Sequence, residues 1–265
     1  MSHATNAADG TRVYFEDDGG DGVPVLFYGG IFDWVEQVRA SEIARALPKG
    51  EFRHIYVDHR GIARSDKPHD MTAYAMPLRA GDAVAVLDAL NIERAHFVGS
   101  SWGGRLGFGF GEHAPDRTLA LVLGGQQPYA IDPEGPLVRV VTEGLHAAQR
   151  GGMEALLHAM EDFWHVRFPD WQRGPWLEND PAAIQAAWSM ALSEGPISRD
   201  LGAWGTPCLI YAGVSDADFY EQARAAAEEI PNAEFISLGG EDHFAAHNRT
   251  ESIIATVLRV LRSAR

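Results

Sequence analysis

His96-Phe97-Val98-Gly99-Ser100-Ser101-Trp102-Gly103-Gly104 is the stretch that decides how the rest of this 265-residue chain is read. A β-branched and aromatic run ends in a glycine-flanked serine, and a helical pattern starts directly after it. The spacing fits G-x-S-x-G with Ser101 at its centre. A serine in a strained strand-to-helix turn needs small residues two places before and after it, because the two backbones approach closely there. Gly99 and Gly103 fill those places, and Gly104 leaves further room for helix–strand packing. The helix also directs its free N–H groups at the turn, which favours developing negative charge. Ser101 is therefore the candidate nucleophile, and Ser100 is expected only to shape the turn.

Outward from this turn, short strands alternate with longer helical patterns. Residues 12–15, 23–28, 54–58, 96–99, 119–123, 208–212 and 234–238 read as strands, and residues 36–47, 77–90, 103–113, 220–230 and 251–261 as helices. That rhythm predicts an α/β fold with a mostly parallel central sheet and helices on both faces. Residues 129–201 interrupt it with helical pieces at 138–150, 153–165 and 181–193 and no convincing strand. The expected division is a core of residues 1–128 and 202–265, with 129–201 as a helical lid over the sheet edge where ligands bind in open α/β sheets.

A serine hydroxyl needs an adjacent base to attack at neutral pH. His243, in the loop Leu238-Gly239-Gly240-Glu241-Asp242-His243-Phe244 after the last strand, is the candidate among eleven histidines. His247 is expected to be a solvated or capping residue. The carboxylate that would hold the imidazole lies in Gly213-Val214-Ser215-Asp216-Ala217-Asp218; Asp216 is favoured and Asp218 is the alternative. Serine, aspartate and histidine then follow in that order along the chain.

These segments, with Leu26-Phe27-Tyr28-Gly29-Gly30 and the run from Val57-Asp58-His59-Arg60-Gly61 to Asp66, resemble the α/β-hydrolase superfamily over nearly the whole length. The resemblance implies an oxyanion hole formed by the backbone N–H groups of Trp102 and Gly30. It also implies a Ser101–Asp216–His243 triad. Two departures stand out: Tyr28 occupies the place of the usual histidine before Gly29, and Gly61-Ile62-Ala63-Arg64-Ser65 replaces the usual Gly-His-Gly-Arg-Ser. Dehalogenases and epoxide hydrolases of this fold carry aspartate where Ser101 stands, so acyl transfer to serine is the favoured chemistry. The expected substrate is a small, largely apolar ester or lactone. Hydrolysis of a carbon–carbon bond in a diketone-like substrate, or a non-turnover small-molecule receptor, are the alternatives.

Phe32, Trp34, Trp164, Phe219 and Phe244 are the candidate pocket residues, and the remaining lid aromatics are expected to be packing. Arg60 and Arg64 lie in a glycine-containing stretch that lacks both phosphate-loop patterns, and are expected to pair with Asp58 and Asp66. His146, His158 and His165 show no ligand spacing, so neither metal nor cofactor is expected. A net charge of −15 and a pI near 5.1 disfavour nucleic acid and anionic membrane surfaces as partners. Cys208, alone in its apolar run, excludes an intrachain disulfide and is expected to be a buried hydrophobe. The start of the chain has no basic and apolar signal pattern, and no apolar run is long enough for a bilayer, so a cytoplasmic location is expected. The sequence is silent on oligomeric state.

Overall fold

The computed structural model describes residues 2–264. Eight strands form one sheet: β1 Ser2–Thr5, β2 Arg12–Asp17, β3 Val23–Tyr28, β4 Phe52–Val57, β5 Ala95–Ser100, β6 Thr118–Gly124, β7 Cys208–Gly213 and β8 Ala233–Leu238. Their order is β1-β2-β4-β3-β5-β6-β7-β8. β1 and β2 pair antiparallel, as do β2 and β4, and every later pairing is parallel. The helices are α1 Val35–Ala40, α2 Glu42–Ala46, α3 Met76–Ala89, α4 Trp102–His113, α5 Pro136–Gly151, α6 Glu154–Phe163, α7 Asp170–Glu178, α8 Pro181–Ser193, α9 Tyr220–Glu229, α10 His243–Asn248 and α11 Ile254–Ser263.

The central strands are apolar at successive positions because both faces of the sheet are covered. Leu26, Phe97, Leu121, Leu123 and Ile210 point to one side, among residues of α3, α4 and α9. Val25, Phe27, Val98, Val122 and Leu209 point to the other, against α1, α2 and α11. Cys208 is buried in the first of these layers, and burial pushes its thiol well up. A third apolar cluster lies between the helical insertion α5–α8 and the end of the sheet that carries Ser101.

Four elements differ from the sequence expectation. β1 is an additional edge strand, with Ala4 buried opposite Val13. The helix expected over 36–47 is broken at Ser41, which ends α1 and accepts from the Ala44 N–H to start α2. The insertion gains α7, a polar helix with Pro175 inside it. α10 forms because the Asp242 side chain caps it by accepting from the Ala245 N–H.

Candidate active site

The turn after β5 is strained as its glycines foretell. Ser101 sits at φ 53° and ψ −118°, a conformation costing about 1–3 kcal/mol in a non-glycine residue. It is held from several directions. The Ser101 N–H donates to the Gly124 carbonyl at 2.8 Å, and the Gly103 N–H donates to the Gly29 carbonyl at 2.9 Å. A Cβ on Gly99 would collide with the Gly103 carbonyl, and one on Gly103 would lie 2.5 Å from the Tyr28 carbonyl oxygen. Trp102 is the first residue of α4, so its N–H has no acceptor within the helix.

The three residues expected to act together meet here. Ser101 Oγ lies 2.9 Å from His243 Nε2, and His243 Nδ1 donates to Asp216 Oδ2 at 2.7 Å. Burial alone would lower the His243 imidazole, but the charge and hydrogen bond of Asp216 outweigh it and raise the group above its ordinary 6.5. Asp216 in turn accepts from the Asp218 and Phe219 N–H groups, both at 3.2 Å. Asp218 takes a different part: its Oδ2 accepts from the Leu137 N–H at 3.0 Å, tying the first turn of α5 to the core.

The cavity in front of Ser101 is walled by four of the five candidate pocket residues, Phe32, Trp164, Phe219 and Phe244, together with Trp102. The insertion adds Trp176 and Trp188, which as lid aromatics are expected only to pack, and Leu137, Val141 and Met160, for which the sequence carries no expectation. Trp164 stacks over His243 with ring centres 6.5 Å apart, while Phe219 tilts against its ring at 5.3 Å. Trp34 does not line the cavity. Its indole N–H donates to Asn179 Oδ1 at 3.1 Å, and Asn179 Nδ2 donates to the Phe32 carbonyl, also at 3.1 Å, so this pair anchors the insertion to the 30–34 loop. Among the described residues no Lys or Arg lines the cavity; its titratable groups are Asp33, His243 and His247.

Two of those three depart from the sequence expectation or lie outside it. His247 is neither freely solvated nor a cap: its Nδ1 meets Ser100 Oγ at 2.5 Å and its Nε2 lies 3.2 Å from Asp33 Oδ2. The one sequence signal for Asp33 is its place as an isolated charge in the apolar run Gly29-Gly30-Ile31-Phe32-Asp33-Trp34. It is buried, and its Oδ2 accepts the Gly30 N–H at 2.8 Å. Burial would raise the Asp33 carboxyl, yet the hydrogen bond and charge of His247 and the Gly30 N–H hold it below the usual carboxylate range.

The departure at Tyr28 is absorbed by packing. Its ring stacks on Phe97 at 5.1 Å, and its hydroxyl is buried without a partner. His59 steadies the loop instead, with Nε2 donating to the Gly29 carbonyl at 3.0 Å. Burial, reinforced by the Arg79 charge, pushes His59 down to about 3, which keeps it neutral. Arg64 pairs with Asp58 at 3.1 Å as expected, but Arg60 pairs with Asp82 and Asp9, and Asp66 pairs with Arg12. Arg60 turns inward because α3 supplies a buried carboxylate and the Leu78 carbonyl. Among the described residues no three His, Cys, Asp or Glu side chains are grouped to hold a metal ion, and no helix is long and apolar enough to cross a membrane.

Comparison with known proteins agrees with this architecture. Residues 23–139 match the family described as the alpha/beta hydrolase fold. A non-heme chloroperoxidase of Streptomyces lividans is 27% identical, over 97% of this chain and 98% of its own length. A solved carboxylesterase structure from Nitrososphaera gargenis superposes with a TM-score of 0.84 at 22% identity, covering 99% of both chains. A thermophilic esterase from Thermogutta terrifontis gives 0.76 at 25% identity, covering 99% of this chain and 98% of that one. The sheet order, the serine turn and these likenesses together show that the chain has the α/β-hydrolase fold.

Proposed function

We propose that this protein is a serine hydrolase that cleaves small, neutral, largely apolar carboxylic esters or lactones through an acyl-enzyme on Ser101. The observation that carries the proposal is a continuous Ser101–His243–Asp216 hydrogen-bonded line opening into a largely aromatic and aliphatic cavity that no Lys or Arg lines among the described residues. Ser101 Oγ attacks the carbonyl carbon while its proton passes to His243 Nε2, and Asp216 stabilises the imidazolium. The N–H groups of Trp102 and Gly30 receive the oxyanion. His243 then protonates the departing alkoxide, and a water activated by the same imidazole releases the acid.

The cavity also argues for the class of acyl group. Aromatic and aliphatic walls reward apolar surface by roughly 25 cal/mol per Å² removed from water. A carboxylate-bearing substrate would meet Asp33 there, with His247 already paired to that carboxylate. The insertion α5–α8 acts as a lid, since it supplies most of that apolar wall.

The test is covalent labelling with a fluorophosphonate and peptide mapping, followed by a panel of p-nitrophenyl esters, lactones and β-diketones. Label on Ser101, its loss in His243→Ala, and sustained turnover of neutral esters are expected. Turnover confined to the diketones would replace ester hydrolysis with carbon–carbon cleavage. A single acylation without turnover would make the protein a receptor.

A further inference from the structure

The Gly30 N–H, one of the two donors to which the oxyanion is assigned, is already occupied. Asp33 Oδ2 accepts it at 2.8 Å, and the same oxygen lies 3.2 Å from His247 Nε2. An acyl carbonyl and this carboxylate cannot both take one N–H, and a fixed negative charge beside a developing one opposes it. Something must move before Gly30 can serve.

The surroundings of Asp33 supply a second position. Asp33, His247 and Gln172 form a wall shared by the catalytic cavity and a smaller side cavity, which Gln37 also lines. Gln37 is buried, its Oε1 is taken by the Trp34 N–H at 3.0 Å, and its Nε2 has no partner. A buried amide donor left without an acceptor is costly, and Gln37 lines the same side cavity as Asp33, so the carboxylate is a natural partner for it. His247 already touches the carboxylate and is anchored on Ser100, next to the nucleophile.

We propose that Asp33 is a latch on the oxyanion site, resting on the Gly30 N–H and swinging into the side cavity, onto His247 and Gln37, when an acyl carbonyl enters. This rests on the acyl-transfer reading of Ser101. Asp33 is here a gating residue: it forms no bond to substrate, and it controls whether one oxyanion donor is free. The arrangement makes the resting site unreactive until a ligand that fills the cavity displaces the carboxylate.

The experiment is stopped-flow measurement of the p-nitrophenol burst from p-nitrophenyl butyrate, using the full chain with Asp33→Ala, His247→Asn, Gln37→Met and the doubles that include Asp33→Ala. Asp33→Ala should speed acylation about 10-fold, part of the about 10²–10³ that one oxyanion donor is typically worth, with KM changed less. His247→Asn and Gln37→Met should each slow acylation, and neither should do so once Asp33 is alanine. Should Asp33→Ala unfold the loop, Asp33→Asn removes the charge while keeping an acceptor, and acceleration in the same direction is expected. Slower acylation in both Asp33 variants, or losses at His247 and Gln37 that persist without Asp33, would overturn the latch. Those outcomes leave fluorophosphonate labelling of Ser101 intact in the wild type; absence of that label would instead remove the acyl-transfer reading and the latch with it.

Discussion

At the scale of single residues, His243 links the geometry to a pH dependence whose sign can be worked out. The proposed acylation needs the neutral imidazole, and the Asp216 charge and hydrogen bond raise the group above 6.5 against the effect of burial. For neutral esters, kcat/KM should therefore climb with pH to a half-point above 6.5 and then level off. Asp216→Asn should move that half-point toward acid and lower kcat by about 10⁴-fold, the scale seen when a triad carboxylate is neutralised. A half-point that stays in place would show that Asp216 does not set the base. The same shift acts on stability with the opposite trend. A raised folded-state value favours the folded protein below the ordinary imidazole value, and that contribution fades as pH rises through the raised one. Activity thus increases over the interval in which this stabilisation is lost. Ser101, His243 and Asp216 were legible because each stands next to its own strand end with a local signature. Asp33 and His247 were not, since their roles arise only when a loop after β3 meets α10, more than two hundred residues later.

Among the elements, the sheet was the most legible part, because strands buried on both faces leave apolar runs that no surface helix imitates. Helix ends were less so: Ser41 breaks one expected helix by capping the next, a role decided by a single hydroxyl. α7 escaped notice because only Gln172 and Trp176 on it are buried, and Pro175 masks its periodicity. The insertion's link to the core was equally hidden, since the Leu137 N–H of α5 is satisfied by Asp218 from a distant loop. Asp218→Ala should cost about 0.5–2 kcal/mol, as losing a helix N-terminal acceptor does. Hydrogen exchange should show residues 136–151 opening sooner, while Ser101 keeps its fluorophosphonate reactivity. Unchanged exchange there would mean that packing of Leu137 and Val141 alone holds the helix. The serine turn makes the converse case, where space and not hydrogen bonding is limiting. Gly103→Ala would drive a methyl against the Tyr28 and Gly29 carbonyls at 2.5 and 2.8 Å, at a cost of about 1–3 kcal/mol. Turnover should fall with it, because the Gly103 N–H to Gly29 carbonyl bond holds the Gly29-Gly30 loop, the proposed oxyanion donor, beside Ser101.

For the molecule as a whole, the loop after β4 connects the end of the sheet that carries Ser101 to the hairpin at the β1 edge. His59 from this loop holds the Gly29 carbonyl, and its neighbour Arg60 reaches the other way. The Arg60 guanidinium is almost fully enclosed and pairs with Asp82 of α3 at 2.6 Å and with Asp9, from the β1–β2 hairpin, at 2.8 Å. Asn6 Nδ2 donates to the same Asp82 carboxylate at 2.8 Å, so hairpin, loop and helix converge on one pair of charges. An enclosed pair of this kind adds little over well-packed apolar residues, but removing one partner strands the other. Arg60→Met should therefore cost about 3–5 kcal/mol in urea unfolding, leaving Asp82 buried without its cation. Arg60→Met combined with Asp82→Leu should recover most of that loss, because neither charge remains to be desolvated. The two losses would simply add if the arginine mattered only for the volume it fills. Recovery in the double variant, with turnover of a neutral ester restored alongside stability, would identify this charge pair as the joint through which the N-terminal hairpin and α3 keep the His59 loop, and with it Gly29 and Gly30, in register with Ser101.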